Sequence, residues 1–295
     1  MVMQLKNKYL KLDIFEAGEV YKRARFDWTG QIAQVTFQDR HTFCTSESLK
    51  FWQIKKLGQG LVAEFGLALP VGYDDCEVGQ WFPKIGVGLL LKKTKKNYNF
   101  FKNYKIRPFS FSMEQSNNAA VFNCHAQEVR GYACKLIKTI RLKDKGFMID
   151  YELSNVGSKR IITNEYNHNF LAIDRKNIDH NYVLKFPFTI NPSTFSKIHN
   201  PSGVLSIDGQ NITWKAIPRK DFFISHLNPA PLQGGSWALE HKNSKVGIRE
   251  TCEFPIRQIN LWGKKHVVSP EIYYEISLAP GETLHWQRSY EIYEL

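Results

Sequence analysis

Over most of this chain, apolar and polar positions alternate with a period of two. The pattern is clean at Tyr9–Ile14, Gln31–Phe37, Phe109–Met113 and Gly146–Leu153. Alternation bounded by glycine and polar turns marks half-buried β-strands. The same reading predicts strands at 85–91, 119–126, 132–142, 182–188, 204–207, 212–214, 222–224, 235–240, 246–250, 258–262, 267–274, 276–278 and 286–293. Turn-rich joints such as Ser116-Asn117-Asn118 and Asp144-Lys145-Gly146 separate them, and no segment carries a long helical period. The expectation is an all-β chain, with a long antiparallel meander from Tyr98 to Leu153.

Ile161–Asp174 (IITNEYNHNFLAID) departs from the pattern in its middle. Aliphatic residues bracket it, as in a buried strand, yet Asn164 to Asn169 are all polar or half polar. Strand geometry puts Tyr166, His168 and Phe170 on one face and Glu165, Asn167 and Asn169 on the other. Buried polar groups cost free energy unless hydrogen-bonded, so such a block is a structural network or a binding site. His168 can exchange a proton near neutral pH. The turn Ser154–Ser158 suggests that Phe147–Leu153 and this stretch pair as a hairpin.

Other segments carry charge among aromatics. Arg25-Phe26-Asp27-Trp28 reads as a structural ion pair, and Glu47 and Glu64 sit in aromatic surroundings. Leu67–Gly88 reads as a loop into a strand at 85–91, where Gly86 and Gly88 leave one face bare for a close backbone or a ligand. The loop Leu227–Gly235 is a candidate lip of a site. Glu271 follows Pro270 at a predicted strand start between apolar stretches, so its carboxylate is hydrogen-bonded or functional.

Size and charge narrow the picture. The 295 residues suffice for one large β domain or two ordinary ones, without disulfides. The five scattered cysteines show no metal spacing, which fits reduced thiols in a cytoplasmic protein. No signal peptide or membrane span is apparent, so no membrane partner is expected. The formal charge is +12, and its densest cluster, Lys92, Lys93, Lys95 and Lys96, reads either as a solvated turn or as an attractor of anionic ligands such as phosphorylated or uronic sugars. No nucleic-acid motif accompanies the charge, so no nucleic-acid partner is expected.

Three stretches together resemble the galactose mutarotase-like superfamily, the aldose 1-epimerases and their hexose-6-phosphate relatives. IITNEYNHNFLAID resembles the family's segment with the catalytic histidine, which matches His168. INLWGKKHVVSPEIYYEISLAPGETLHWQRSYEIY resembles its tryptophan, catalytic glutamate and closing Pro-Gly-Glu turn, which match Trp262, Glu271 and Pro280-Gly281-Glu282. FPKIGVG at 82–88 resembles the segment with a sugar-binding arginine, where Lys84 stands instead. The family's second binding histidine has no counterpart; Tyr98–Tyr104 occupies that region.

The resemblance implies a large, twisted antiparallel β-sandwich (a supersandwich), with residues 1–295 as one domain. It implies a protein that binds a monosaccharide or sugar phosphate, as monomer or homodimer, and interconverts the anomers of an aldose without cofactor or metal. Glu271 is then the base and His168 the acid, on opposite sides of the sugar, with His168 protonated at rest beside a carboxylate such as Glu165. Lys84 and Arg25 would bind hydroxyls or a phosphate, Trp262 and Trp81 would stack on the ring, and Asn167 would join the binding set. The rival readings are a sugar-binding module of the same superfamily without catalysis and an accessory domain of a glycoside-processing enzyme.

Overall fold

Among the described residues the alternating segments fold as strands in two ten-stranded sheets and one small three-stranded sheet. The computed structural model describes residues 2–53 and 56–295. The first sheet runs in space Val2–Lys6, Leu10–Phe15, Gln31–Phe37, Leu61–Phe65, Ile161–Asn169, Val267–Leu278, Gln258–Lys264, Phe222–Ser225 and Lys197–His199, with His41–Thr42 beside Gln31–Phe37. The second runs Leu205–Asp208, Asn211–Trp214, Tyr182–Lys185, Leu232–His241, Val246–Ile256, Thr283–Glu294, Gly146–Asn155, Cys134–Leu142, Ala119–His125 and Ser110–Gln115. The strand pairs at the centre of both sheets are antiparallel. One apolar cluster spans both, from Leu5 and Ile14 to Ile276 and Ile292, as inward-facing residues of two packed sheets require. No helix among the described residues is long and apolar enough to cross a membrane.

Three expectations about the strands change. Phe147–Leu153 does not form a hairpin with Ile161–Asn169. Gly146–Asn155 pairs with Cys134–Leu142 and Thr283–Glu294 in the second sheet, and Ile161–Asn169 lies in the first. The corner between them is tied by Asn155, whose Nδ2 donates to Lys159 O (2.9 Å) and Leu278 O (3.0 Å). The predicted strand 85–91 is a hairpin, Trp81–Lys84 paired with Gly88–Leu91. Its turn places Gly86 at φ +74°, where a Cβ would meet the Asp27 carboxylate. Glu271 lies within the twelve-residue strand Val267–Leu278, which runs on through Pro270, and not at a strand start.

Arg25 and Asp27 are not a pair. Two residues apart, they point to different places: Asp27 accepts from Lys138 Nζ in the interior (2.5 Å), and Arg25 turns to Glu64 (2.8 Å). Lys92 leaves the solvated turn, because its Nζ donates to Tyr73 O (2.9 Å) and lies 4.1 Å from the Tyr73 ring centre. Lys93, Lys95 and Lys96 are exposed.

Candidate functional site

Ile161–Asn169 lies between Leu61–Phe65 and Val267–Leu278, and its alternation sorts the side chains as strand geometry demands. Tyr166 and His168 face a cleft of about 700 Å³, which also receives Glu271, Tyr273, Asn260 and Trp262 from neighbouring strands. Glu165, Asn167 and Asn169 face the second sheet. Glu165 bonds Arg288 Nη2 (2.6 Å), Asn167 bonds the hydroxyls of Tyr151 (3.0 Å) and Tyr290 (2.9 Å), and Asn169 bonds Glu250 (3.0 Å).

His168 and Glu271 meet where the two strands stop pairing. The register runs from Ile161↔Leu278 to Tyr166↔Tyr273 and resumes as a single bridge at Leu171↔Val268. In the same register His168 stands opposite Glu271 and Asn169 opposite Pro270, which has no N–H to give. Side chains replace the missing ladder. Asn169 N–H donates to Ser269 Oγ (2.9 Å), Asn169 Nδ2 donates to Pro270 O (2.8 Å), and Arg288 Nη2 donates to Ile272 O (2.9 Å). The Tyr290 hydroxyl donates to Asn169 Oδ1 (3.0 Å), so this buried amide is bonded on both ends.

In the gap, His168 Nε2 lies 3.3 Å from Glu271 Oε1. Ser269 Oγ (3.4 Å) and the Tyr273 hydroxyl (3.3 Å) also donate to the Glu271 carboxyl. The imidazole stacks on Phe170 (4.0 Å) and meets Trp262 and Phe26 edge-on. Burial pushes the Glu271 carboxyl up to about 8, with the Glu64 charge adding and Arg25 opposing. Burial, then Arg25 and Lys264, holds His168 well below the usual imidazole range. At neutral pH these shifts favour a protonated Glu271 carboxyl beside an uncharged His168 ring. This corrects the expectation of a protonated His168 beside Glu165, which lies on the opposite face of the strand.

Arg25 lies in the cleft wall and is held from three sides. Its Nε donates to Glu64 Oε2 (2.8 Å), its Nη2 to the Tyr166 hydroxyl (3.1 Å), and its plane lies 4.5 Å from the Phe100 ring centre. The Tyr166 hydroxyl donates to the same Glu64 oxygen (2.6 Å).

Of the seven residues proposed from sequence, His168, Glu271, Trp262 and Arg25 line the cleft together. Lys84, Trp81 and Asn167 do not. Lys84 is buried behind Arg25, where Nζ donates to Phe65 O and Gly66 O and lies 3.7 Å from Glu64 Oε1. Burial lowers its pKa to about 8, against the pull of Glu64. Trp81 is half-buried under the Arg107 guanidinium, 4.1 Å from the ring centre. Asn167 belongs to the tyrosine network of the interior. The 227–235 loop contributes no lining residue.

Tyr166, Tyr273 and Asn260 were missed, although each lies two residues from a proposed one and so on the same strand face. Glu64 had no such signal; it is found only through its pairing with Tyr166 across Leu61–Phe65. Among the described residues no group of three or more His, Cys, Asp or Glu side chains is placed to hold a metal ion.

No protein-family model matches this chain, and no curated protein matches it. Solved structures do. A putative aldose 1-epimerase from Escherichia coli K12 superposes with a TM-score of 0.63 at 10% identity, covering 100% of this chain and 99% of that one. A galactose mutarotase-like protein from Lactobacillus casei gives 0.61 at 14% identity, covering 99% and 100%. An aldose epimerase homologue from C. elegans gives 0.60 at 10% identity, covering 100% and 99%. The chain has the galactose mutarotase-like fold, a large antiparallel β-sandwich, at great sequence distance from these structures.

Proposed function

We propose that the cleft binds an aldose and interconverts its anomers by general acid–base catalysis, with His168 and Glu271 as the reacting groups. One observation carries this reading: an imidazole nitrogen and a carboxyl oxygen 3.3 Å apart at the cleft wall. The name of the Escherichia coli structure, a putative aldose 1-epimerase, agrees with it. The same reading takes residues 1–295 as one domain.

Their contact revises the expected geometry. The two groups stand side by side and not on opposite sides of a sugar. Anomer exchange allows this, because the C1 hydroxyl and the ring oxygen are both bonded to C1. His168 takes the hydroxyl proton as Glu271 gives its proton to the ring oxygen and the C1–O5 bond breaks. The products are an open-chain aldehyde, an imidazolium and a carboxylate. Rotation about C1–C2 and reclosure run the transfers backwards on the other face of the carbonyl. Each such group typically contributes about 10²–10⁴-fold. Tyr166, held by Arg25 and Glu64, would orient hydroxyls, and Trp262 would stack on the ring.

A second reading is sugar binding without catalysis. The packing favours it, because an uncharged ring enclosed by Phe170, Trp262 and Phe26 can stand beside Glu271 as a structural side chain. Anomeric exchange measured by NMR with wild type and Glu271→Gln separates the readings: binding with no acceleration of exchange rejects the enzyme.

A further inference from the structure

Arg25, Glu47, Phe100 and Phe101 line the cleft and also line a second cavity of about 250 Å³. They form a common wall between two chambers. The second chamber is bounded by Arg23, Lys56 and Lys102. Lys102 Nζ donates to Thr94 Oγ1 (3.3 Å), and none of the three cations has a carboxylate partner among the described residues. Arg25 is already matched by Glu64. Among the described residues Glu47 is the one carboxylate in the chamber lining, and it accepts from Gly58 N–H (3.4 Å). Three cations against one acid leave the chamber with an excess of positive charge.

The wall is also apolar and open to water. Phe101 is 75% exposed, and Trp52 is 69% exposed in the short turn whose Gln53 lines the same chamber. Rings standing in water gain by covering apolar ligand surface. The main cleft alone has the size of sites for drug-sized ligands, larger than one pyranose ring needs.

We propose that the ligand is an acidic oligosaccharide. Its reducing-end ring lies against His168 and Glu271, its next unit crosses Phe101, and its anionic groups enter the second chamber against Arg23, Lys56 and Lys102. This rests on the sugar reading of the cleft and extends it from a single sugar to a chain. An anionic membrane would also meet cations and exposed rings, but the convergent polar cleft directly behind the wall favours a saccharide.

Calorimetric titration of the full chain tests it with galacturonic acid, trigalacturonic acid, maltotriose and phosphatidylglycerol vesicles. The expected result is trigalacturonic acid binding about tenfold or more tighter than the monomer, a modest interaction energy. The gain should shrink as salt rises. Phe101→Ala and the combined Arg23→Ser, Lys56→Ser, Lys102→Ser variant should each lose the gain. Arg40→Ser with Lys176→Ser, at a cleft that shares no lining residue with either chamber, should keep it. Equal affinity for monomer and trimer would overturn the inference while leaving the sugar reading intact. So would an equal gain with maltotriose, a gain unaffected by the chamber variants, or vesicle binding with no trimer gain. Absence of binding by every saccharide would overturn both.

Discussion

His168 and Glu271 stand opposite each other in a break of the β-ladder, 3.3 Å apart. Pro270 opens the break, and Asn169 spans it from the opposite face of its strand. The site is thus held by polar groups packed between the sheets, and its chemistry depends on where one proton rests.

That proton should be visible. Nitrogen-15 NMR of the His168 ring at pH 7 is expected to show a neutral imidazole that protonates only well below pH 6.5. A charged ring at pH 7 would reverse the roles of the two groups. Anomerisation should be flat through neutrality and fall as pH rises through about 8, as Glu271 loses its proton. The rate profile alone does not assign the two groups, because a coupled pair titrates as a unit; the ring signal does.

Arg25→Ala should move both limbs of that profile to higher pH. The guanidinium favours the Glu271 carboxylate and disfavours the His168 imidazolium, so its loss raises both pKa values. A limb that moved down would mean that Arg25 does not act on the pair.

Stability should carry the same signature. The folded Glu271 keeps its proton to about 8, whereas the unfolded group releases it near its ordinary 4.5. Between these values the folded state binds more protons, so this group's contribution is full below 4.5 and is lost as pH rises to about 8. Lys84 acts in the opposite sense. Its folded pKa near 8 lies below its ordinary 10.5, so its contribution grows as pH rises through that window. Urea unfolding of wild type and Glu271→Gln is expected to show wild type losing ground to the variant between pH 5 and 8; parallel curves would contradict this.

Much of the fold could be read from period-two alternation, because each half-buried strand records its own two faces. Sheet membership could not. The corner at Asn155 sends two consecutive strands to different sheets, and that depends on contacts with Leu278, far along the chain. At the site, His168 and Glu271 were legible as polar residues in apolar strands, and Trp262 through the family resemblance. Lys84 was misplaced because motif spacing does not show that the hairpin turns its ammonium toward Phe65 O and Glu64. Arg25 was read from its neighbours as a partner of Asp27 and only through the resemblance as a sugar contact; its partner Glu64 was not legible. Glu64 becomes its neighbour only once Leu61–Phe65 pairs with Ile161–Asn169.

Arg288→Met should destabilise the chain by about 3–5 kcal/mol, the usual cost of leaving buried charges without a partner. Arg288 bonds Glu165 (2.6 Å) and Glu250 (2.5 Å) with no exposure to solvent. Denaturant unfolding measures this. A loss under about 1 kcal/mol, the scale of a surface pair, would show that the two carboxyls are satisfied without it.

The most direct measurement is exchange NMR on the anomeric protons of neutral, phosphorylated and acidic aldoses, with wild type and Glu271→Gln side by side. The expected result is acceleration by wild type for at least one sugar class and at least about 10²-fold less by the variant, which keeps shape but has no proton to transfer. Acceleration retained by Glu271→Gln, or none by wild type with any bound sugar, would contradict anomer exchange at His168 and Glu271.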